Sequence, residues 1–145
     1  MDRKRFELEY AVPSAEDYLG LRAIAGLSPR DLAATEAGLP NSCVAVTVSM
    51  AGRAVAMGRV IGDGALFFQV VDIAVDPEFQ GQGLGRAVMA ALMERLAEIV
   101  PGTAYVSLIA DGEAHRLYSQ YGFEPVEPRS RGMAMWLSPA RAKPE

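Results

Sequence analysis

The segment that most constrains the fold is Val70-Val71-Asp72-Ile73-Ala74-Val75-Asp76-Pro77-Glu78-Phe79-Gln80-Gly81-Gln82-Gly83-Leu84-Gly85-Arg86. It begins as an apolar run of strand type, passes through a loop with glycine at every second position, and enters a stretch of helical apolar spacing over about 83–99. Glycine lets a backbone approach a ligand closely and present N–H groups without a Cβ in the way. The first N–H groups of a helix lack intrahelical partners and sit at the positive end of its dipole, so this loop suits a phosphate or pyrophosphate. Arg86 adds a full positive charge. Two common phosphate loops are excluded. A Walker loop needs Gly-x-x-x-x-Gly-Lys followed by Ser or Thr, and the residue five after Gly81 is Arg86; the dinucleotide fingerprint would require glycine at position 86.

The remaining elements order themselves around this unit. Alternation over Phe6–Val12 predicts a half-buried strand, broken at Pro13-Ser14, and Ser14 is placed to cap a helix over about 15–25. Ser28-Pro29 opens a second short helix that Gly38-Leu39-Pro40 closes. Cys43–Met50 and Ala54–Ile61 are predicted strands joined at Ala51-Gly52, and Gly62-Asp63-Gly64 turns into a third, Leu66–Val75. That third run is nearly all apolar, which predicts a central strand covered on both faces. After the helix at 83–99, Tyr105–Ala110 is a further strand. Asp111 is placed to cap a short helix through about Tyr121, with Gly122 after its end, and Met133–Leu137 is expected to be a last strand. The order is that of an α/β or α+β domain with a mixed sheet.

Composition narrows the function. At 145 residues the chain suits one domain, expected over 1–138 with a flexible tail over 139–145, and half of it is apolar, which excludes an intrinsically disordered chain. Fourteen Lys and Arg against 18 Asp and Glu give a net charge of −4, a poor field for nucleic-acid phosphates. One cysteine, Cys43, and one histidine, His115, leave no closed zinc site of the usual N/S type, and no metal is expected. Cys43 lies in an apolar run and reads as a small core residue. The charged start Met1–Glu7 has no apolar core of a secretory signal, and no stretch reaches the roughly 18 apolar residues of a membrane span. A cytoplasmic protein without nucleic-acid or membrane partners is expected.

Two segments carry a family likeness. Gln80-x-x-Gly83-x-Gly85, after a strand ending Ile73-Ala74-Val75-Asp76-Pro77, resembles the acyl-coenzyme A signature of GNAT-type N-acetyltransferases. Ala114-His115-Arg116-Leu117-Tyr118-Ser119-Gln120-Tyr121-Gly122-Phe123 resembles that family's second landmark, a helix with Leu-Tyr followed by Gly-Phe. The resemblance covers about residues 66–137; the first forty match only in element order. It implies a mixed, mostly antiparallel central sheet flanked by helices, and transfer of an acetyl group from acetyl-CoA to a primary amine of a small molecule or peptide. It further implies that backbone groups of Ile73, Ala74 and Val75 pair with the pantetheine arm like an added strand. The loop of Gln80, Gly81, Gln82, Gly83, Leu84, Gly85 and Arg86 would bind the cofactor, the amides from Gln82 to Arg86 holding the pyrophosphate and Gln80 bracing the loop. Tyr118 would be the general acid.

The chemistry needs those roles. An alkyl amine with a pKa of roughly 10.4 is neutral only about once in 10³ at pH 7, so its proton must be accepted somewhere. A leaving thiolate departs more easily when a hydroxyl donates to it, and a tyrosine near pKa 10 still holds its proton at neutral pH. Ala114, Leu117, Tyr118 and Tyr121 share one helical face, so core packing is the competing reading for Tyr118. In parts of the family a carboxylate on the central strand takes the amine proton; Gln69 stands at one such position here and cannot. Asp72 is the candidate base, an acid in an apolar strand that is costly to keep ionised unless hydrogen-bonded. Its alternative is a structural pair with backbone or with an arginine such as Arg22 or Arg59. His115 reads as a solvated helix residue. Asp111 stands where the family often has Asn, which puts the pantetheine contact there in doubt. Tyr18, Arg22, Phe67, Phe68, Arg129, Arg131 and Trp136 are candidate lining for the amine. A homodimer is compatible with all of this. The alternative function is a non-catalytic acyl-CoA sensor or interaction module on the same fold.

Overall fold

The structure is a computed structural model and describes residues 5–140. The expected start at Met1–Glu7 and tail at 139–145 fall partly outside the described residues, over 1–4 and 141–145. Strands β1 (Glu7–Glu9), β2 (Val44–Met50), β3 (Arg53–Gly62), β4 (Phe67–Val75) and β5 (Tyr105–Leu108) form one sheet in chain order. All neighbours are antiparallel except β4 and β5, which are parallel. Helices α1 (Ala15–Ile24) and α2 (Leu32–Gly38) precede β2; α3 (Leu84–Ile99) links β4 to β5, and α4 (His115–Ser119) follows β5. The mixed, mostly antiparallel sheet between helices is the expected architecture.

Each face of the sheet has its own core. Val46, Val48, Val55, Val60, Phe68 and Val70 meet Val88, Met89, Leu92 and Leu96 of α3. On the opposite face Tyr18 and Leu21 of α1 pack with Leu39, Met57 and Ala74. Ser14 caps α1 as expected, its Oγ accepting from the Asp17 N–H at 3.1 Å. Ala51 and Gly52 turn β2 into β3, both at positive φ, which matches the twist of a tight hairpin.

Several expectations needed correction. The first strand shrinks to three residues, because only Glu7–Glu9 lie opposite β2. The second helix starts not at Ser28-Pro29 but at Leu32, after Asp31. The last helix is confined to five residues, and β5 ends at Leu108 rather than Ala110. No strand forms over 133–137; these residues are exposed and unpaired. The strand at 66–75 lies between two neighbours, but its first half is open on the α1 side and Phe67 is exposed.

The feature that shapes the site is a bulge in β4. Met57 faces Ala74 and Arg59 faces Val71, so Asp72 and Ile73 together oppose the single residue Gly58. Asp72 takes the left-handed conformation, φ +62°, that a bulge residue often needs. Gly58 is required by space: a Cβ there would stand 2.5 Å from Ile73 Cδ1 and 2.6 Å from Val88 Cγ1. β4 and β5 pair only from Phe67–Tyr105 to Val70–Leu108. Beyond that point β4 continues through the bulge to Val75 while β5 has ended, and the sheet opens into a cleft.

Candidate active site

The cleft is about 430 Å³ and is lined by Ile73, Ala74 and Val75, by Gln80, Gly81, Gly83, Leu84, Gly85 and Arg86, and by Leu117 and Tyr118. Its floor is the open edge of β4. Asp76, buried, caps a short 3-10 turn over Pro77–Phe79 by accepting from the Glu78 N–H at 2.9 Å, and Arg53 donates to its other oxygen at 3.0 Å. These bonds, the Glu78 N–H first, hold the Asp76 carboxyl below its ordinary value of 3.8. The chain thereby turns sharply out of β4 into the glycine loop.

The loop meets the demand of an anion. Gly81 and Gly83 both lie at φ near +80°, and a Cβ at either would meet nothing within 4 Å, so glycine serves conformation and leaves an open surface. Gly83 is the N-cap of α3 and offers no side-chain cap. The first intrahelical bond runs from the Ala87 N–H to the Gly83 carbonyl at 3.0 Å, so the amides of Leu84, Gly85 and Arg86 precede the helical ladder. Phosphate oxygens fit such a helix start. Gln80 is exposed in the cleft wall, and its main-chain N–H closes the 3-10 turn on the Pro77 carbonyl at 3.4 Å. Arg86 is exposed, and its guanidinium donates to the side-chain carbonyl of Gln120.

Tyr118 forms the far wall. The α4 turn is closed by Gly122 at φ +94°, and the Phe123 N–H returns to the Tyr118 carbonyl at 3.4 Å, the expected glycine-ended cap. Tyr118 is buried, and its ring also borders a second cavity of about 450 Å³ between the end of β5 and Phe123–Glu127. Burial, and then the negative charge of Asp111, raise its phenol above the ordinary 10.0. At neutral pH it carries its proton. Packing and placement in the cleft therefore coexist in this residue.

Asp72 stands apart from Tyr118, on the α1 side of the bulge. Its Oδ1 accepts from Arg22 Nη1, and its Oδ2 accepts from Arg59 Nε at 2.6 Å and from the Tyr18 hydroxyl at 2.8 Å. Three of the roughly four lone-pair positions of the carboxylate are thus taken. Arg22 is itself buried and fixed on the Ser28 carbonyl and hydroxyl. The geometry is the arginine pairing foreseen as the alternative to a base. Of the other lining candidates, Tyr18 and Arg22 belong to this network, Phe68 is core, and Phe67, Arg129, Arg131 and Trp136 are exposed. The sequence reading missed the Tyr18–Asp72 bond and the Arg53–Asp76 pair, which join residues 54 and 23 positions apart. His115 is exposed, and Cys43 is half-buried. Among the described residues no group of His, Cys, Asp and Glu is placed to hold a metal ion, and no helix is long and apolar enough to cross a membrane.

Comparisons with known proteins agree with this architecture. Residues 40–125 match the family model described as Acetyltransferase (GNAT) domain. The chain superposes with TM-score 0.86 and 45% identity on a probable acetyltransferase of unknown function from meticillin-resistant Staphylococcus aureus, covering 91% of this chain and 99% of that one. It is 40% identical over 90 residues to serotonin N-acetyltransferase 2, chloroplastic, of Oryza sativa subsp. japonica, 62% of this chain and 44% of that protein. It is 34% identical over 113 residues to GCN5-related N-acetyltransferase 1, chloroplastic, of Arabidopsis thaliana, 77% of this chain and 56% of that protein. The chain thus spans about half the length of these curated relatives. With the opened sheet, the glycine loop and the matched family model together, the chain belongs to the GNAT acetyltransferase family.

Proposed function

We propose that the protein is an N-acetyltransferase that moves an acetyl group from acetyl-CoA to a primary amine of a small molecule or peptide. The observation that carries this reading is one cleft lined together by the open edge of β4, the glycine loop and the Tyr118 ring. The residues present fit the cofactor: an extended arm finds peptide groups of Ile73, Ala74 and Val75 not paired to β5, and a pyrophosphate finds the amides from Gln82 to Arg86. Acetyl-CoA bound there supplies an acyl carbon activated as a thioester.

Tyr118 then acts at the leaving group. As the amine nitrogen bonds to the acyl carbon and the carbon–sulfur bond breaks, the Tyr118 hydroxyl gives its proton to the sulfur and regains one from solvent. The products are an amide and a free thiol. A neutral amine sheds one N–H proton as the amide forms, which balances the one Tyr118 regains, and an amine that enters as its ammonium form gives up one more before it attacks; we assign both to water, because the Asp72 oxygens are occupied by Arg22, Arg59 and Tyr18. Asp72 is a positioning residue in this reading. It ties α1 and β3 to the bulge that opens the cleft.

The test is a panel of primary amines incubated with acetyl-CoA while free thiol release is followed. Amine-dependent thiol release with at least one member is expected. Stabilisation by CoA with no release across the panel would instead support an acyl-CoA sensor. Stabilisation by a dinucleotide and not by CoA would remove the reading altogether.

A further inference from the structure

Three guanidinium groups gather where α1, α2 and β3 meet, with one carboxylate among them. Arg22 and Arg59 both bond Asp72, and Arg22 Nη2 and Arg30 Nη1 share the Ser28 hydroxyl at 3.1 and 2.6 Å. Among the described residues Arg22 and Arg59 pair with no other carboxylate, and Arg30 pairs with none. Three positive charges against one negative leave this cluster a surplus of positive charge, inside a chain whose net charge is −4.

A cavity of about 180 Å³ opens beside the cluster, bordered by Tyr18, Arg30, Thr35, Leu39 and Arg59. The hydroxyls in its wall have their protons committed: Tyr18 donates to Asp72 at 2.8 Å, and Thr35 donates to the Asp31 carbonyl at 2.8 Å. The guanidinium groups keep spare donors. Arg59 uses Nε on Asp72 and Nη1 on the Ser42 hydroxyl, which leaves Nη2 without a partner among the described residues. No fully buried side-chain nitrogen or oxygen among those residues is unpartnered, so this Nη2 reaches open space, and the cavity is space that Arg59 borders. Arg30 commits only Nη1, to Ser28 and to the Pro29 carbonyl, and its guanidinium lies over the Trp136 ring at 4.7 Å. Stacking occupies the face of a guanidinium and leaves its edge N–H groups available.

The cavity adjoins the cleft through Asp72. Tyr18 and Arg59 in the cavity wall both bond that carboxylate, and Asp72 is followed in the chain by Ile73 and Ala74, which line the cleft. Consecutive residues stand about 3.8 Å apart, so one small molecule can reach both places. We infer that this cavity holds the anionic end of the acceptor, and that the acceptor is a primary amine carrying a carboxylate, such as an amino acid. The inference rests on the transferase reading above. A carboxylate matches the guanidinium fork with two parallel N–H···O bonds, and its charge offsets the surplus of the cluster. A polyamine fits badly, because its second ammonium would meet uncompensated guanidinium groups. The volume lies below the roughly 300–1,000 Å³ of a pocket for a whole ligand, as suits an end group.

Amino carboxylates of graded chain length, each beside its own carboxamide, test this by thiol release from acetyl-CoA, with rates expressed per unprotonated amine. The carboxamide keeps the shape and loses the charge. At one chain length or more, kcat/KM for the carboxylate should exceed that for the carboxamide by at least about tenfold, as a charge-assisted bond supplies. Arg30→Gln should bring that ratio close to parity, chiefly through KM. Arg59→Lys keeps a charge on Asp72 and loses the fork, and should also lower the ratio. Arg30 is exposed and its side-chain hydrogen bonds reach only Ser28 and Pro29, so Arg30→Gln keeps the fold by circular dichroism even if Arg59→Lys does not. The same compounds without acetyl-CoA should raise the melting temperature as carboxylates and not as carboxamides, and Arg30→Gln should abolish the difference. That stabilisation with no thiol release would keep the anion site and refute the transferase reading. Equal rates for carboxylate and carboxamide at every chain length overturn the anion site and leave the transferase reading standing. A carboxylate preference that Arg30→Gln leaves intact overturns it as well.

Discussion

The Tyr121 hydroxyl donates to the main-chain carbonyl of Arg86 at 3.0 Å, which hangs the turn after the Tyr118 helix on the first turn of α3. The Arg86–Gln120 side-chain bond repeats the link. The helix that carries the proposed acid is only five residues long and would not hold its own geometry in water. Tyr121→Phe removes the hydroxyl alone. Stability should fall by about 1 kcal/mol, measured by urea unfolding, and turnover should fall several-fold while the ring packing persists.

Gly83→Val tests the loop. At φ +81° a β-branched residue costs roughly 1–2 kcal/mol in the folded state and brings side-chain atoms into an otherwise open surface. The variant should melt somewhat lower and should lose most of the rise in melting temperature that CoA gives the unchanged protein. That rise corresponds to roughly 2.7 kcal/mol at a hundredfold excess over Kd. An undiminished CoA shift in Gly83→Val would place the pyrophosphate elsewhere.

Asp72→Asn separates positioning from proton transfer. The buried carboxylate compensates two arginines, and breaking a buried pair by removing one partner costs about 3–5 kcal/mol. Asparagine tolerates the left-handed conformation at 72, so the loss reports charge and not backbone strain. We expect a clearly lower melting temperature, and a pH–rate profile parallel to that of the unchanged protein on an amine already neutral at pH 7. Loss of the low-pH limb in the variant would restore Asp72 as the base.

Two buried phenols contribute to the dependence of stability on alkaline pH. Tyr18 is raised above 10.0 by burial first and by its bond to Asp72 second, and Tyr118 by burial first and Asp111 second. The unfolded chain therefore loses these protons before the folded one does. Their contribution to stability is fully present below about pH 10 and is lost as pH rises through the folded values. Unfolding free energy measured from pH 8 to 11 should decline above 10, and the decline should be shallower in Tyr18→Phe.

The glycine loop, the helix after it and the glycine-ended turn behind Tyr118 were legible in the sequence because each is local. Glycine at alternate positions, apolar residues at helical spacing and a helix-stop glycine name their own conformations. The Asp72 site was only half legible. An acid inside an apolar strand announces a partner, and Arg22 and Arg59 were named, but the bulge depends on Gly58 admitting Ile73 and Val88 from two other elements. The segment 133–137 shows the opposite failure. Its alternation is real, yet alternation specifies a face and never the strand beside it, and among the described residues no partner strand lies beside it.

The central claim is that the Tyr118 hydroxyl protonates the departing sulfur. The most direct measurement is turnover of Tyr118→Phe, followed as thiol release at saturating acetyl-CoA with an amine found active in the panel. Phenylalanine keeps the ring that the core requires and removes only the proton donor. The account predicts a fall of roughly 10²–10⁴-fold in kcat, with the CoA-induced melting shift nearly unchanged. Turnover equal to that of the unchanged protein would contradict it and would leave Tyr118 as a wall of the cleft and nothing more.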